Sequence, residues 1–160
     1  MMGKKELRES VGLLAVVLSL VFVGLEMRQN TNMMQAQIRN SMSENTMEYL
    51  GWSATSESLA NAISEARLSG PEELSPSQRW QIRTWAGAQI REWENSFYQN
   101  KLGLFTEAEF LARKTIWNQR LTKDPTRAVY QDLWSEFADT FAPDFRAEID
   151  QIIKEGSISD

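Results

Sequence analysis

The chain has 160 residues, of which 42% are hydrophobic and 24% charged, with 17 Lys and Arg against 22 Asp and Glu. This length suits one modest domain with an appendage, and the acidic balance without a basic stripe argues against nucleic acid as a partner. The chain has neither cysteine nor histidine. Disulfides, thiolate nucleophiles and histidine-based catalysis or metal binding are therefore excluded, and we expect no cofactor and no metal site.

The N-terminal part contains fifteen consecutive uncharged, mostly apolar residues, Val11 to Leu25. A helix over this run would rise about 22 Å, which approaches the roughly 30 Å of a bilayer's hydrocarbon core. A cleaved signal would need small residues after the run, and a core helix would need partners on every side, which a small domain cannot supply. We therefore predict an uncleaved transmembrane helix, surrounded by membrane lipid, within residues 1–27.

The charges on either side of the run indicate an orientation. Lys4, Lys5 and Arg8 precede it, whereas Arg28 and Arg39 are the basic residues that follow closely. Positive charge is enriched on the cytoplasmic side of membrane spans. We expect a single-pass protein of a bacterial inner membrane, with a cytoplasmic N-terminus and a periplasmic C-terminal domain.

One face of the predicted span carries small residues. Gly12, Ala15, Ser19 and Glu26 recur at spacings of three, four and seven. Small residues let membrane helices approach closely and associate. Glu26 either lies in the headgroup region or, in a symmetric oligomer, completes a ring of carboxylates. This face is therefore a candidate oligomer face or the lining of a pore.

A second helical stripe follows the span and predicts a helical stalk over residues 28–69. Its candidate interface residues are Met27, Met34, Ile38 and Met42, with Asn45 as a polar residue that could set the register of an oligomer. Methionine thioethers can bind copper(I), but no established ligand spacing is present, and flexible apolar packing is the preferred interpretation. One unbroken helix, and two packed segments joined by a bend at Gly51, both fit the pattern.

The segment around Gly70 and Pro71 ends the stalk and begins a predicted helical bundle over residues 70–160. Ser75 and Gln78 have the spacing of a capping box, with a proline in the first helical position, so we predict a helix from about Pro76 to Lys101. Its inward stripe contains Ile82, Ala86, Ile90, Trp93 and Phe97, widened by Trp80 and Trp85. Arg79, Arg83, Arg91 and Glu94 are expected to supply polar surface.

Three further helices follow in the predicted bundle. Gly103 offers a stop, and Thr106 with Glu109 predicts a helix to about Arg120 that buries Leu111 and Trp117. Asp124-Pro125 predicts the cap of the next helix, and Pro143 begins a last one, with Gly156 opening a polar tail. Their inward positions are predicted as Tyr130, Leu133, Trp134, Phe137 and Phe141, then Phe145, Ile149, Ile152 and Ile153. The fold class is therefore all-α, a transmembrane helix continuing into a stalk and a small bundle.

Two groups of side chains are candidates for function. Four of the six tryptophans fall on apolar stripes, whereas Trp52 and Trp80 are less securely placed and are candidate partner contacts. The carboxylates form two loose groups, Asp132 with Glu136 and Asp139, and Glu92 with Glu94. We interpret both groups as solvated faces, because paired acid chemistry needs a protected cleft, and we predict that the protein is not an enzyme.

Two stretches, "AVVLSLVFVGLEMRQNT" and "WENSFYQNKLGLFTEAEF", resemble a recurrent family of small bacterial single-pass, membrane-anchored helical proteins of unknown function. Gln29, Asn30 and Thr31 match its Gln-Asn-Thr segment. Its Glu-Asn-aromatic stretch is matched by Glu94, Asn95, Phe97 and Tyr98. The resemblance implies the anchor and the helical fold, and it brings no catalytic residues, substrate or cofactor.

These observations favour a membrane-anchored interaction protein that self-associates or serves as an accessory subunit of a larger membrane complex. The expected partners are therefore lipid and either a second copy or another membrane protein. An oligomeric ion channel lined by the N-terminal helix, with Ser19 and Glu26 in its wall, is the alternative.

Overall fold

The computed structural model of the chain describes residues 3–158, and every regular element in that range is helical. The six α-helices are α1 (Lys4–Thr55), α2 (Glu57–Leu68), α3 (Pro76–Lys101), α4 (Glu107–Asn118), α5 (Arg127–Phe137) and α6 (Pro143–Ile158). Short 3-10 turns cover Pro71–Glu73 and Ala138–Thr140, and a π-helical turn covers Gln119–Lys123. The all-α prediction is confirmed: a long, apolar N-terminal helix is followed by a small helical bundle.

Contacts divide the chain into two compact units, one that ends at Asn40 and one that begins at Ser41. The boundaries predicted from the apolar run and the Gly70-Pro71 segment, after residues 27 and 69, stay predictions. Residues 1–2 and 159–160, at the ends of the predicted N-terminal and bundle segments, lie outside the described residues. Of the described helices, one is long and apolar enough to cross a membrane, and none of its most apolar 18-residue window is buried.

Helix α1 continues through Gly51, where a bend was one of the two predicted alternatives. The helix ends at Thr55, and α2 begins after Ser56, whose Oγ accepts a hydrogen bond from the Leu59 N–H at 3.3 Å. Glycine only weakens a helix, whereas an N-cap side chain stabilises the start of a new one. The break therefore follows the capping serine.

Helix α3 begins and ends as predicted. Ser75 and Gln78 form the complete capping box, with Pro76 in the first turn. At the other end, Gly103 has a φ of +72°, and the Leu104 N–H donates to the Gln99 carbonyl at 3.1 Å. This is the hydrogen-bond pattern of a Schellman C-cap, in which glycine adopts the left-handed conformation without a steric penalty.

Two residues that were predicted on the inward stripes are exposed instead: Trp80 is 73% exposed and Phe137 is 42% exposed.

Two further predictions for the bundle are wrong. Leu111 was expected to be buried, but it is 62% exposed, because α4 packs through Phe110 and Trp117 on its other side. Asp124 was expected to cap α5, yet that helix begins at Arg127. The Asp124 carboxylate instead accepts hydrogen bonds from the N–H and Oγ1 of Thr126, so it closes the turn before the helix.

The π-helical turn replaces the last turn predicted for α4. It places Leu121 in the core, fully buried, and the Leu121 carbonyl accepts a hydrogen bond from Gln131 Nε2 at 2.6 Å. A π turn widens the backbone by one residue and shifts the side chains that follow. Helix α6 then packs against this turn and continues past Gly156 to Ile158, so Gly156 does not open a tail as predicted.

Phe145 of α6 is at the centre of the aromatic core. It is fully buried, and its ring centroid lies 5.7 Å from Phe97, 6.1 Å from Trp117 and 5.9 Å from Trp134. Aromatic pairs at such distances add to the burial that stabilises a small core. The ring of Phe145 therefore holds α6 against helices α3, α4 and α5.

Candidate interaction surface

The structure brings together the two tryptophans that were predicted as candidate partner contacts. Trp52 on α1 and Trp80 on α3 are 28 positions apart, and both line one cavity of about 500 Å³. Trp80 is 73% exposed and Trp52 is 46% exposed. Leu59 and Trp85 also line this cavity, which we call the tryptophan pocket.

Hydrogen bonds between helices fix the walls of the tryptophan pocket. The Trp85 indole Nε1–H donates to the Tyr49 carbonyl at 3.2 Å and so ties α3 to the end of α1. Gln81 Nε2 donates to Ser58 Oγ at 2.9 Å and ties α3 to α2. Because exposed aromatic surface on a rigid support is typical of protein contact sites, the pocket is suited to binding an apolar side chain of a partner.

A larger cavity of about 650 Å³ lies on the other side of Trp80, between α3 and the segment from α5 to Phe141. Arg79, Arg83 and Arg91 follow one edge of α3, and Leu133 with Phe137 forms the opposite wall. We call this cavity the arginine groove. Its arginines were predicted only as polar surface, although Arg79, Arg83, Gly87 and Arg91 follow at every fourth position and this spacing indicates one continuous helix face.

The carboxylates considered as catalytic candidates mostly form ion pairs. Glu92 pairs with Arg113 at 3.1 Å, Glu94 pairs with Arg91 at 3.0 Å, and Glu136 pairs with Arg83. Asp139 pairs with Arg146, whereas Asp132 is solvent-exposed. Among the described residues no group of three carboxylates could hold a metal ion. Glu92, Glu136 and Asp139 therefore link different helical elements, whereas the Glu94 pair lies within α3, and these acids do not converge on one site.

The candidate oligomer face lies on the N-terminal part of α1. Gly12, Ala15, Ser19 and Glu26 are all exposed, and a Cβ added at Gly12 would meet nothing within 4 Å. The Ser19 hydroxyl donates to the Ala15 carbonyl at 2.8 Å. That internal hydrogen bond satisfies the hydroxyl within its own helix, so the face presents mainly small, close-packing atoms.

The candidate stalk interface divides by exposure. Met27 is 68% exposed and Met34 is 45% exposed, whereas Met42 is 2% exposed. Ile38 is half-buried and Asn45 is exposed. A second helix therefore has access to the first two methionines and to Asn45, and Met42 packs within the chain.

Comparison with known proteins gives no match at any level. No protein-family model matches the chain, and neither a curated protein nor a solved structure is significantly similar to it.

Proposed function

We propose that the chain is a membrane-anchored helical interaction protein, which self-associates or serves as an accessory subunit of a larger membrane complex. The observation that carries the proposal is the position of Trp52 and Trp80 in the walls of one open pocket, on a chain whose apolar N-terminal run is exposed rather than buried. Exposed aromatic residues around a pocket are the side chains that dominate binding energy at protein interfaces.

The anchor is the first part of the proposal. Leu13 is 69% exposed and Phe22 is 62% exposed, as are apolar residues on every side of this helical segment. Water would make such exposure costly, at about 25 cal/mol per Å² of apolar surface, whereas lipid removes the cost. The positive residues before the run support a cytoplasmic N-terminus in a bacterial inner membrane. The resemblance to small membrane-anchored helical proteins agrees with this placement.

Membrane fractionation tests the anchor. The full chain should remain in the membrane pellet after washing with alkaline carbonate. Replacing Leu18 with Arg, at the middle of the run, should lower insertion strongly, because a central arginine costs about 2.5–3.5 kcal/mol on insertion scales. A wild-type chain released intact by carbonate would contradict the anchor.

Crosslinking in native membranes tests the partner. A chain carrying Trp80→Ala should lose most of the crosslinked species that wild type forms, because truncating a central interface tryptophan costs about 2 kcal/mol or more. Leu111→Ala is the matched control, since Leu111 is also exposed but lies on α4, away from the tryptophan pocket. Two differently tagged copies in one cell separate self-association from binding to another protein.

Two results would contradict the interaction proposal. One is a chain that stays strictly monomeric in membranes and co-purifies with no other protein. The other is a Trp80→Ala variant that crosslinks as well as wild type. Gly12→Leu provides an independent test of the span, because a bulky residue on the small-residue face should weaken self-association without affecting insertion.

A further inference from the structure

The arginine groove is built from two stripes of helical spacing that face each other. On α3, Arg79, Arg83, Gly87 and Arg91 follow one another at every fourth position. On the other side the wall residues are Leu133, Glu136, Phe137, Thr140 and Phe141. A cavity of about 650 Å³ between helices, with mostly apolar walls, has the size and character of a small-molecule site.

Gly87 keeps the middle of the groove open. A Cβ at this position would lie 3.5 Å from Leu133 Cδ2, which is ordinary contact distance, so alanine would fit there. A larger side chain would extend over Leu133 and fill the space between the helices. The floor of the groove is therefore formed by the Gly87 Cα and the Leu133 side chain, and these apolar groups suit a hydrocarbon chain better than a polar ligand.

The charges of the groove are uneven along its length. At one end the Arg91 guanidinium carbon lies 3.8 Å from the centre of the Phe141 ring, and Arg91 also binds Glu94 and Thr140. In the middle, Arg83 is paired with Glu136. The charges of both arginines are therefore partly neutralised by glutamates, and the Arg91 guanidinium also stacks on the Phe141 ring. Both side chains form part of the groove walls.

Arg79, beside Trp80, is the exception among these arginines. Its Nη2 donates to the backbone carbonyls of Glu72 at 3.1 Å and Leu74 at 3.3 Å, and no carboxylate in the described part of the chain pairs with it. Two backbone bonds hold the guanidinium in place without neutralising it, and its other N–H donors remain available. The Nη1 and Nε groups are the donors that remain, and a charge-assisted hydrogen bond from a guanidinium to a carboxylate or phosphate is stronger than a bond between neutral groups.

We propose that the arginine groove binds a single-chain amphiphile with an anionic carboxylate head, that is, a long-chain fatty acid. The carboxylate pairs with Arg79, and the hydrocarbon chain lies over the floor formed by Gly87 and Leu133 and runs towards Phe141. The charge of the lining favours this occupant, because Arg83 and Arg91 are paired with glutamates whereas Arg79 pairs with no carboxylate in the described part of the chain. The inference goes beyond the proposed function and does not depend on it, because all these residues belong to the unit that begins at Ser41.

Photolabelling tests the inference on the full chain in phosphatidylcholine nanodiscs. The probe is palmitate with a diazirine in its chain, and labelled residues are mapped by mass spectrometry. We expect labels on Leu133 and Phe137 that decrease about tenfold in Arg79→Gln, since one charge-assisted pair is lost. Labels on residues 11–25 report probe in the bilayer and serve as the internal standard. Their absence would count against the anchor and leave the groove result readable.

Matched variants and probes separate the alternatives. Gly87→Leu should remove the groove labels by filling the cavity, and Trp52→Ala, outside the groove, should label like wild type. The same probe ending in an alcohol should label the groove about tenfold less than the acid. The inference is overturned if Arg79→Gln labels like wild type, if acid and alcohol label equally, or if the label never reaches α5. The last result would assign the groove to a protein segment or leave it without a lipid.

Discussion

Arg113 on α4 donates to the Glu92 carboxylate on α3 at 3.1 Å, and the same Glu92 oxygen accepts a hydrogen bond from Ser96 at 2.9 Å. The Glu92 side chain is only 10% exposed and that of Arg113 is 25% exposed. Solvent screens a pair of this kind less than a surface pair, and removing one partner leaves the other charge poorly solvated. The pair therefore fixes how α4 packs on α3.

We expect Glu92→Gln to lower the free energy of unfolding by about 1–3 kcal/mol, because Arg113 keeps its charge without a counter-ion. Asp139→Asn is the control: Asp139 also pairs with an arginine, but its side chain is 93% exposed, so the cost should stay below about 1 kcal/mol. All six tryptophans lie after Ser41, so denaturation followed by their fluorescence reports on that unit. If both variants lost the same free energy of unfolding, burial of the Glu92–Arg113 pair would not explain its contribution.

Gly156 allows α6 to approach the π-helical turn. A Cβ at this position would overlap the Thr122 side chain, including its Cβ at 2.6 Å, so a rotamer change at Thr122 could not relieve the contact. Alanine in a helix stabilises a protein by about 1 kcal/mol relative to glycine, but forcing an extra methyl group into a packed contact destabilises it by about 1–3 kcal/mol. We expect Gly156→Ala to destabilise the protein, as measured by its thermal unfolding midpoint.

Gly51→Ala is the matched control for this substitution. Gly51 is also helical, but a Cβ there would meet nothing within 4 Å, so alanine should raise stability by up to about 1 kcal/mol. Opposite signs for the two glycines are the expected outcome. A Gly156→Ala protein as stable as wild type would mean that α6 can move away from Thr122 at little cost.

Features fixed by neighbouring residues could be predicted from the sequence. The capping boxes at Ser75 and Thr106 depend on a residue three positions further on, and the stop at Gly103 depends on one backbone conformation. Both are local hydrogen-bond requirements, so spacing alone identifies them. The helical periods likewise identified most of the core, including Trp117 and Phe145.

Features fixed by packing between distant segments could not be predicted. Helical spacing assigned Leu111 to the core, but the neighbouring helices cover the other side of α4. The position of Trp52 and Trp80 in one pocket depends on how α1 and α3 pack, which periodicity does not encode. The arginine groove was missed for the same reason, because its second wall comes from α5. The site is therefore a tertiary property, whereas its individual stripes are visible in the sequence.

Asp124 makes the stability of the bundle depend on acid pH. Burial acts to raise the pKa of its carboxyl group, but hydrogen bonds from Thr126 and the charges of Arg120 and Arg67 outweigh burial and lower it below the ordinary value of 3.8. The folded pKa is therefore below the unfolded one. The carboxylate stabilises the fold above pH 3.8, and this contribution is lost as the pH falls through the folded pKa.

We expect Asp124→Asn to be less stable than wild type at pH 7 and the difference between them to shrink as the pH falls below about 4. Denaturant unfolding at a series of pH values measures both effects. Asp132→Asn is the control, because Asp132 is exposed and forms no ion pair among the described residues. A difference between Asp124→Asn and wild type that is the same at pH 3 and pH 7 would contradict the assignment.

Tyr130 makes stability depend on alkaline pH. Its hydroxyl is buried and has no hydrogen-bond partner among the described residues, and the nearby Gln89 donates from Nε2 to the Trp85 carbonyl instead. Burial raises the pKa of Tyr130 from 10.0 to about 12, and the nearby Arg120 lowers it by less. Because the folded state resists losing this proton, stability is intact below pH 10 and decreases as the pH rises from 10 towards 12.

We expect Tyr130→Phe to match or exceed wild-type stability at pH 7, because the substitution removes a buried hydroxyl whose unsatisfied state costs about 1–3 kcal/mol. It should also flatten the alkaline decrease in stability, measured by unfolding between pH 8 and pH 11. Tyr98→Phe, which removes the hydroxyl of a half-buried tyrosine on α3, is the control for the loss of a phenol group elsewhere in the bundle. A marked loss of stability in Tyr130→Phe at pH 7 would show that the hydroxyl has a bonding partner, which also removes the reason for the alkaline slope.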